Sequence, residues 1–279
     1  IESYSNLTEV VVECARYFTD LGYDVLIWSL MSSLGGKTRS RTRDDSALLT
    51  SKWLIALSNF SGKVFKRYSI MNPAPILQYV NDQLYRGNST DLIILQEFIA
   101  QMSGVVPDTD FTDPQLLAMT GGEVLRRQTL ISLQDKRFES VKTAKRLMKS
   151  LTETRLAGQL LISIAQHRQA AIFSVPEDQA HIKYLSTMVD DAQRILTQFN
   201  DLLRSNLTVE EFDDLVPDTC ELMVDFGLDP ALAFTIGRPS FAYKMAGIGA
   251  TELPKEAVEA NGVPAVIDID GDIGMEDRK

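Results

Sequence analysis

Apolar positions recur along this chain at intervals of three and four residues, the period of an amphipathic helix, and almost nowhere at intervals of two. The pattern is strongest over residues 78–127, QYVNDQLYRGNSTDLIILQEFIAQMSGVVPDTDFTDPQLLAMTGGEVLRR, where two helical runs flank Arg86-Gly87-Asn88-Ser89 and the second closes at Gly104. Leu92, Leu95, Ile99 and Met102 form one stripe, and Ile93, Ile94 and Phe98 widen it nearly all round. A helix apolar on most sides must be covered on both flanks, so this one is expected at the centre of its layer. A proline-marked link then leads to a short helix stopped by Gly121-Gly122, and the turn Met119, Thr120, Gly121 and Gly122 is expected to shape the domain.

Upstream, Asn6 and Glu9 are spaced as a capping box and open a helix expected to last until Gly22. A second helix is expected over 24–34, stopped by Gly35-Gly36, and a third over 46–68, with Trp53, Leu54, Leu57 and Phe60 inward and a break near Gly62. Between them GKTRSRTRDD (36–45) is short of apolar residues and reads as a mobile loop. Downstream, residues 137–151 are the clearest two-faced helix: Phe138, Val141, Ala144, Met148 and Leu151 fall on one side, Lys142, Lys145, Arg146 and Lys149 on the other. Helices over 155–173 and 179–204 follow, the latter striped by Ile182, Leu185, Val189, Ala192, Leu196, Phe199 and Leu203. Short helices are expected at 209–215, 219–226 and 230–236, the last broken by Gly237-Arg238-Pro239, with a final turn over 240–246.

Most consecutive helices in this reading are closely linked, and each pair carries more apolar surface than a single neighbour can cover. Stacking satisfies that surface, so the expected fold class is all-α: an α-solenoid of antiparallel helical hairpins, HEAT-like in geometry only, since no fixed sequence repeat is present. The helical scaffold spans residues 1–247. After Gly247 the composition turns to Gly, Pro and acidic residues, predicting an acidic, flexible C-terminal tail over 248–279. A start without Met, directly into a helix, suggests a piece of a longer chain.

Composition sharpens this picture mainly through charge. The net charge is −10, but residues 126–149 hold eight basic and two acidic side chains, whereas 177–229 hold thirteen acidic and three basic ones. Such a chain is no general polyanion binder; it presents charge-coded docking faces. Two basic groups stand out as candidates: Lys142, Lys145, Arg146 and Lys149 on the two-faced helix, and Lys37, Arg39, Arg41 and Arg43 in the loop. Each suits an acidic protein surface or an RNA backbone. Cys14 and Cys220 lie in apolar helical patterns and are expected to be buried thiols in a reducing compartment.

Motifs for chemistry are incomplete. GGKT at 35–38 resembles the tail of a phosphate loop, but Met31 stands where that loop needs glycine, and a helix precedes it in place of a strand. Asp268, Asp270 and Asp272 mimic the start of a calcium loop, but Ile273 and Lys279 occupy its required Gly and Glu positions. His167 and His181 belong to no metal-spaced cluster. No run is long and apolar enough for a membrane span. The residues therefore point to no enzyme, cofactor, metal or small-molecule substrate.

The wording of residues 78–127, together with ISIAQHRQAAIF (162–173) and LMVDFGLDPALAFTIGRPSFAY (222–243), resembles the THO complex subunit 2 family over most of the chain. The resemblance does not extend to residues 35–45 or to those after Ala246. It implies a nuclear scaffold that holds other THO subunits, couples transcription to mRNA export and recruits a DEAD-box RNA helicase. It also implies a MIF4G-like helical-hairpin region as the helicase-binding module. Two alternatives share the fold: a MIF4G- or HEAT-like adaptor from translation or splicing, and a direct RNA-binding module using the basic faces.

Overall fold

The computed structural model describes residues 1–36, 39–43, 46–105, 112–119, 137, 139–173 and 182–252. Among them the chain forms α1 (Thr8–Cys14), α2 (Asp20–Leu34), α3 (Lys52–Arg67), α4 (Ala74–Tyr85), α5 (Leu92–Ser103) and α6 (Asp113–Met119). There follow α7 (Val141–Glu153), α8 (Leu156–Ala170), α9 (Ile182–Asn206), α10 (Val209–Leu215), α11 (Thr219–Val224) and α12 (Pro230–Glu252). A short antiparallel ribbon, β1 (Thr42–Arg43) with β2 (Ser46–Thr50), pairs Thr42 with Thr50 and Arg43 with Ser46. The chain divides into two compact units, Ile1–Gly237 and Arg238–Lys279, and the described part of the second, residues 238–252, is helical.

In the first unit α5 holds the centre expected of it. Leu92, Ile94, Leu95, Phe98, Ile99 and Met102 are all buried, and α3, α4, α7 and α9 pack around them. The closest partner is α3: Phe65 meets Phe98 at a ring separation of 5.1 Å, a tilted pair within the range that favours aromatic contact. Gly62 explains how the two helices come so near. A Cβ there would stand 2.9 Å from Gln101 Cγ and 3.1 Å from Glu97 O, so α3 runs unbroken through Gly62 and uses it as a contact point. Polar groups caught in this layer are satisfied locally: Ser58, Ser61 and Ser103 donate to the carbonyls of Leu54, Leu57 and Ile99 four residues back. The remaining helices of this unit extend one contiguous core that reaches from Val12 to Ile236.

Several expected boundaries are corrected. Asn6 and Glu9 make no capping box; a 3₁₀ turn at Ser5–Leu7 precedes α1, whose cap residue is Leu7, and the next helix begins at Asp20 behind the Thr19 cap. Residues 46–50, expected to start the third helix, are instead paired as β2, and α3 starts only after Ser51 takes extended geometry at ψ 143°. The helix after Asp229 is not broken at Gly237-Arg238-Pro239 but continues to Glu252; the proline removes one backbone donor without ending it. Cys14 and Cys220 are exposed free thiols, because both lie on outward positions of their short helices. The tail beyond Glu252 and the glycines at 121–122 lie outside the described residues.

Candidate functional site

The basic face of α7 survives in part. Lys142, Lys145 and Lys149 are exposed, and Ala144, Leu147, Met148 and Leu151 are buried beneath them. Arg146 departs from that face: it is half-buried, its Nε and Nη2 have no hydrogen-bond partner, and burial lowers its pKa from the usual arginine value. Only Lys149 of the three lysines has an ion pair among the described residues, 3.6 Å from the exposed Glu153, and such a contact leaves it available.

Two of these lysines border a groove of about 1120 Å³. One wall is the flank of α7, with Val141, Ala144, Lys145, Met148, Lys149 and Thr152; the other is built from the end of α9 and from α10, with Leu207, Glu211, Asp214 and Leu215. Val105 and Ser103, just beyond and at the end of α5, line it as well. Arg137 also lines it, tied to Asp201 at 2.6 Å and donating to Ser205 at 3.2 Å. The α10 wall is set by local sequence. Thr208 caps the helix, accepting from Glu211 N, while the Glu211 carboxylate accepts from Thr208 N, a complete capping box. Across the groove, then, lysines face carboxylates over an apolar floor.

The basic loop turns out differently from the sequence expectation. Arg41 is folded inward: its Nε donates to Asp91 Oδ1 at 2.9 Å, and its Nη2 to Tyr79 Oη at 3.2 Å and to Leu34 O at 3.3 Å. The Tyr79 hydroxyl also lies 2.9 Å from Leu34 O and 3.0 Å from Asp91 Oδ2. Burial works against the Arg41 charge, but the hydrogen bonds and attraction of Asp91, with Tyr79, outweigh it and raise its pKa. Arg39 pairs with Glu2 and lies 5.5 Å over the Trp53 ring, and Arg43 Nε donates to Thr50 O at 3.2 Å. The loop is therefore anchored by its own arginines. Lys37, Thr120, Gly121 and Gly122 lie outside the described residues, and Met119 ends α6.

The Tyr79 phenol is pushed up to about 12, first by burial and then by the charge of Asp91. A folded value above the ordinary tyrosine value of about 10 contributes stability that is complete below pH 10 and is lost as pH rises towards 12. The stability difference between the wild type and Tyr79→Phe is accordingly expected to shrink by roughly 1.3 kcal/mol between pH 9 and pH 11. Paired urea titrations at the two values check this, and an unchanged difference would place the phenol in an ordinary environment.

Sequence reasoning missed a polar clamp on α8. Gln166 Nε2 donates to Phe226 O at 2.9 Å, Gln169 Nε2 to Gly227 O at 3.0 Å, and Gln169 Oε1 accepts from Asp229 N at 2.8 Å. Two glutamines thus satisfy the corner between α11 and α12, joining the QHRQ and FGLDP stretches that stood out separately in the sequence. His167, between them, is half-buried and its pKa is lowered by that burial, which favours the neutral imidazole. Among the described residues, no group of three or more His, Cys, Asp or Glu is placed to hold a metal ion, and no helix is long and apolar enough to cross a membrane.

Comparison with known proteins finds the family that the sequence resembles. Residues 1–58 match the Thoc2 family, described as a transcription- and export-related complex subunit. THO complex subunit 2 of Homo sapiens is 35% identical over 243 residues, which cover 87% of this chain and 15% of that protein. The Arabidopsis thaliana protein of the same name is 34% identical over 244 residues (86% and 13%), and that of Saccharomyces cerevisiae 26% over 238 residues (85% and 14%). The chain thus spans about 15% of the length of the human relative. Identity of this extent over most of the chain is that of common descent: the chain is the homologue of one segment of THO complex subunit 2.

Proposed function

We propose that this chain is a non-enzymatic scaffold segment of a nuclear THO-type complex that couples transcription to mRNP assembly and mRNA export. It would dock sister THO subunits and a DEAD-box RNA helicase, working through the surfaces of stacked, MIF4G-like helical hairpins. The observation that carries this reading is the 35% identity maintained over 87% of the chain. Its support from the molecule is the outward-facing charge: Lys142, Lys145 and Lys149 stand free of the core they cover. Exposed cations of that kind add little to folding and are well suited to selecting and orienting a partner.

Affinity purification of the tagged full-length subunit from nuclei, followed by crosslinking mass spectrometry, tests the proposal. The expected result is recovery of the other THO subunits and a DEAD-box helicase, with crosslinks from Lys142, Lys145 or Lys149 to at least one of them. Recovery of translation or splicing factors in their place would overturn it.

A further inference from the structure

The groove between α7 and α10 carries more information than the basic face alone. Its floor is apolar, with Val141 44% exposed and Met148 and Leu215 nearby; one rim is basic, Lys145 and Lys149, and the other acidic, Glu211 and Asp214. We propose that this groove is the docking site for an amphipathic helix of a protein partner. Such a helix would lay its apolar stripe on the floor, turn an acidic flank to the α7 lysines and place a basic residue against the α10 carboxylates. The inference rests on the docking function proposed above and supplies the chemical class of the partner.

Three considerations select that occupant. A groove of about 1120 Å³ with helices on both walls suits a helix laid between them and held by residues at three- and four-residue spacing. Opposite charges on the two rims fix the direction in which a two-flanked helix can lie, because reversing it would set like charges together. RNA fits worse: its phosphates would gain the lysines but be repelled by Glu211 and Asp214 across the same groove, and a regular polyanion has no apolar stripe for the floor. Lys145 has no ion pair among the described residues to compete with a partner's carboxylate. Asp214 is likewise outside the Thr208–Glu211 capping box, so its charge can be changed without uncapping α10.

The test uses the full-length subunit in its native complex, with a photo-crosslinking benzoylphenylalanine at Val141 and, in a second version, at Thr152. The expected crosslink is to a subunit peptide with apolar residues at helical spacing and Asp or Glu along one flank. The pair Lys145→Glu and Lys149→Glu should lower its yield about tenfold, and Asp214→Lys about threefold. Reversing the partner's acidic flank should restore the yield with the lysine pair reversed. A crosslink to RNA, a crosslinked peptide without an acidic flank, no crosslink from either position, or indifference to the charge reversals would each overturn the groove proposal. If those results came with the complex otherwise intact, the scaffold function would stand and only the groove assignment would fall. Failure of the wild-type subunit to recover THO subunits at all would overturn both.

Discussion

Asp91→Ala is expected to destabilise the 279-residue chain by about 3–5 kcal/mol, because it strands a largely buried guanidinium. The Asp91 side chain is only 1% exposed and that of Arg41 20%, and their contact at 2.9 Å is reinforced by Tyr79 and by the Leu34 carbonyl at the end of α2. Removing the carboxylate leaves the Arg41 desolvation uncompensated and loosens three places at once: the end of α2, the strand-bearing segment after it and the start of α5. The pair itself need not be strongly stabilising. Replacing both members, Arg41→Met with Asp91→Leu, removes the buried charges together and should recover most of the loss. Urea unfolding midpoints of the two single variants and the double variant measure the coupling; additive losses would show that the arginine does not depend on this carboxylate. The same network bears on function, since an arginine held this way is poorly placed to contact a phosphate or a partner's carboxylate.

What could be read from the sequence follows from how local each signal is. The central position of α5 was legible because Leu92 to Met102 is apolar nearly all round, a property of eleven consecutive side chains and their period. The exposed lysines of α7 were legible for the same reason. Residues 46–50 were not: SALLT has the look of a helix entry, and its pairing with Thr42 and Arg43 is decided by the ribbon as a whole. Arg41 was assigned to an outward cationic loop because its carboxylate lies fifty positions away, at the cap of α5. The groove needed both α7 and α10, and the α8 clamp needed Gln166 and Gln169 brought to a corner some sixty residues later. Helices are thus written in the local pattern, whereas the contacts that make a site are written between them.

Gly158→Ala is expected to cost about 2–3 kcal/mol net, although exchanging glycine for alanine inside a helix ordinarily stabilises by about 1 kcal/mol. A Cβ on Gly158 would stand 2.3 Å from the Leu215 carbonyl oxygen, and that neighbour is backbone at the end of α10, which cannot rotate aside. Relief requires α8 and α10 to separate, and Leu215 also lines the groove opposite α7. Gly62→Ala makes the informative comparison: its nearest obstructions, Gln101 Cγ at 2.9 Å and Gln101 Cβ and Glu97 O at 3.1 Å, overlap an added Cβ far less deeply, so the net cost there should be smaller, about 1 kcal/mol. Denaturant unfolding of the two variants should therefore rank Gly158→Ala well below Gly62→Ala in stability. In the native complex, Gly158→Ala should also change the Val141 crosslink yield, because displacing α10 alters the spacing between the acidic rim and Lys145. Equal stabilities would mean that α8 and α10 do not approach through Gly158, and that the wall carrying Glu211 and Asp214 is free to adjust independently of the core behind it.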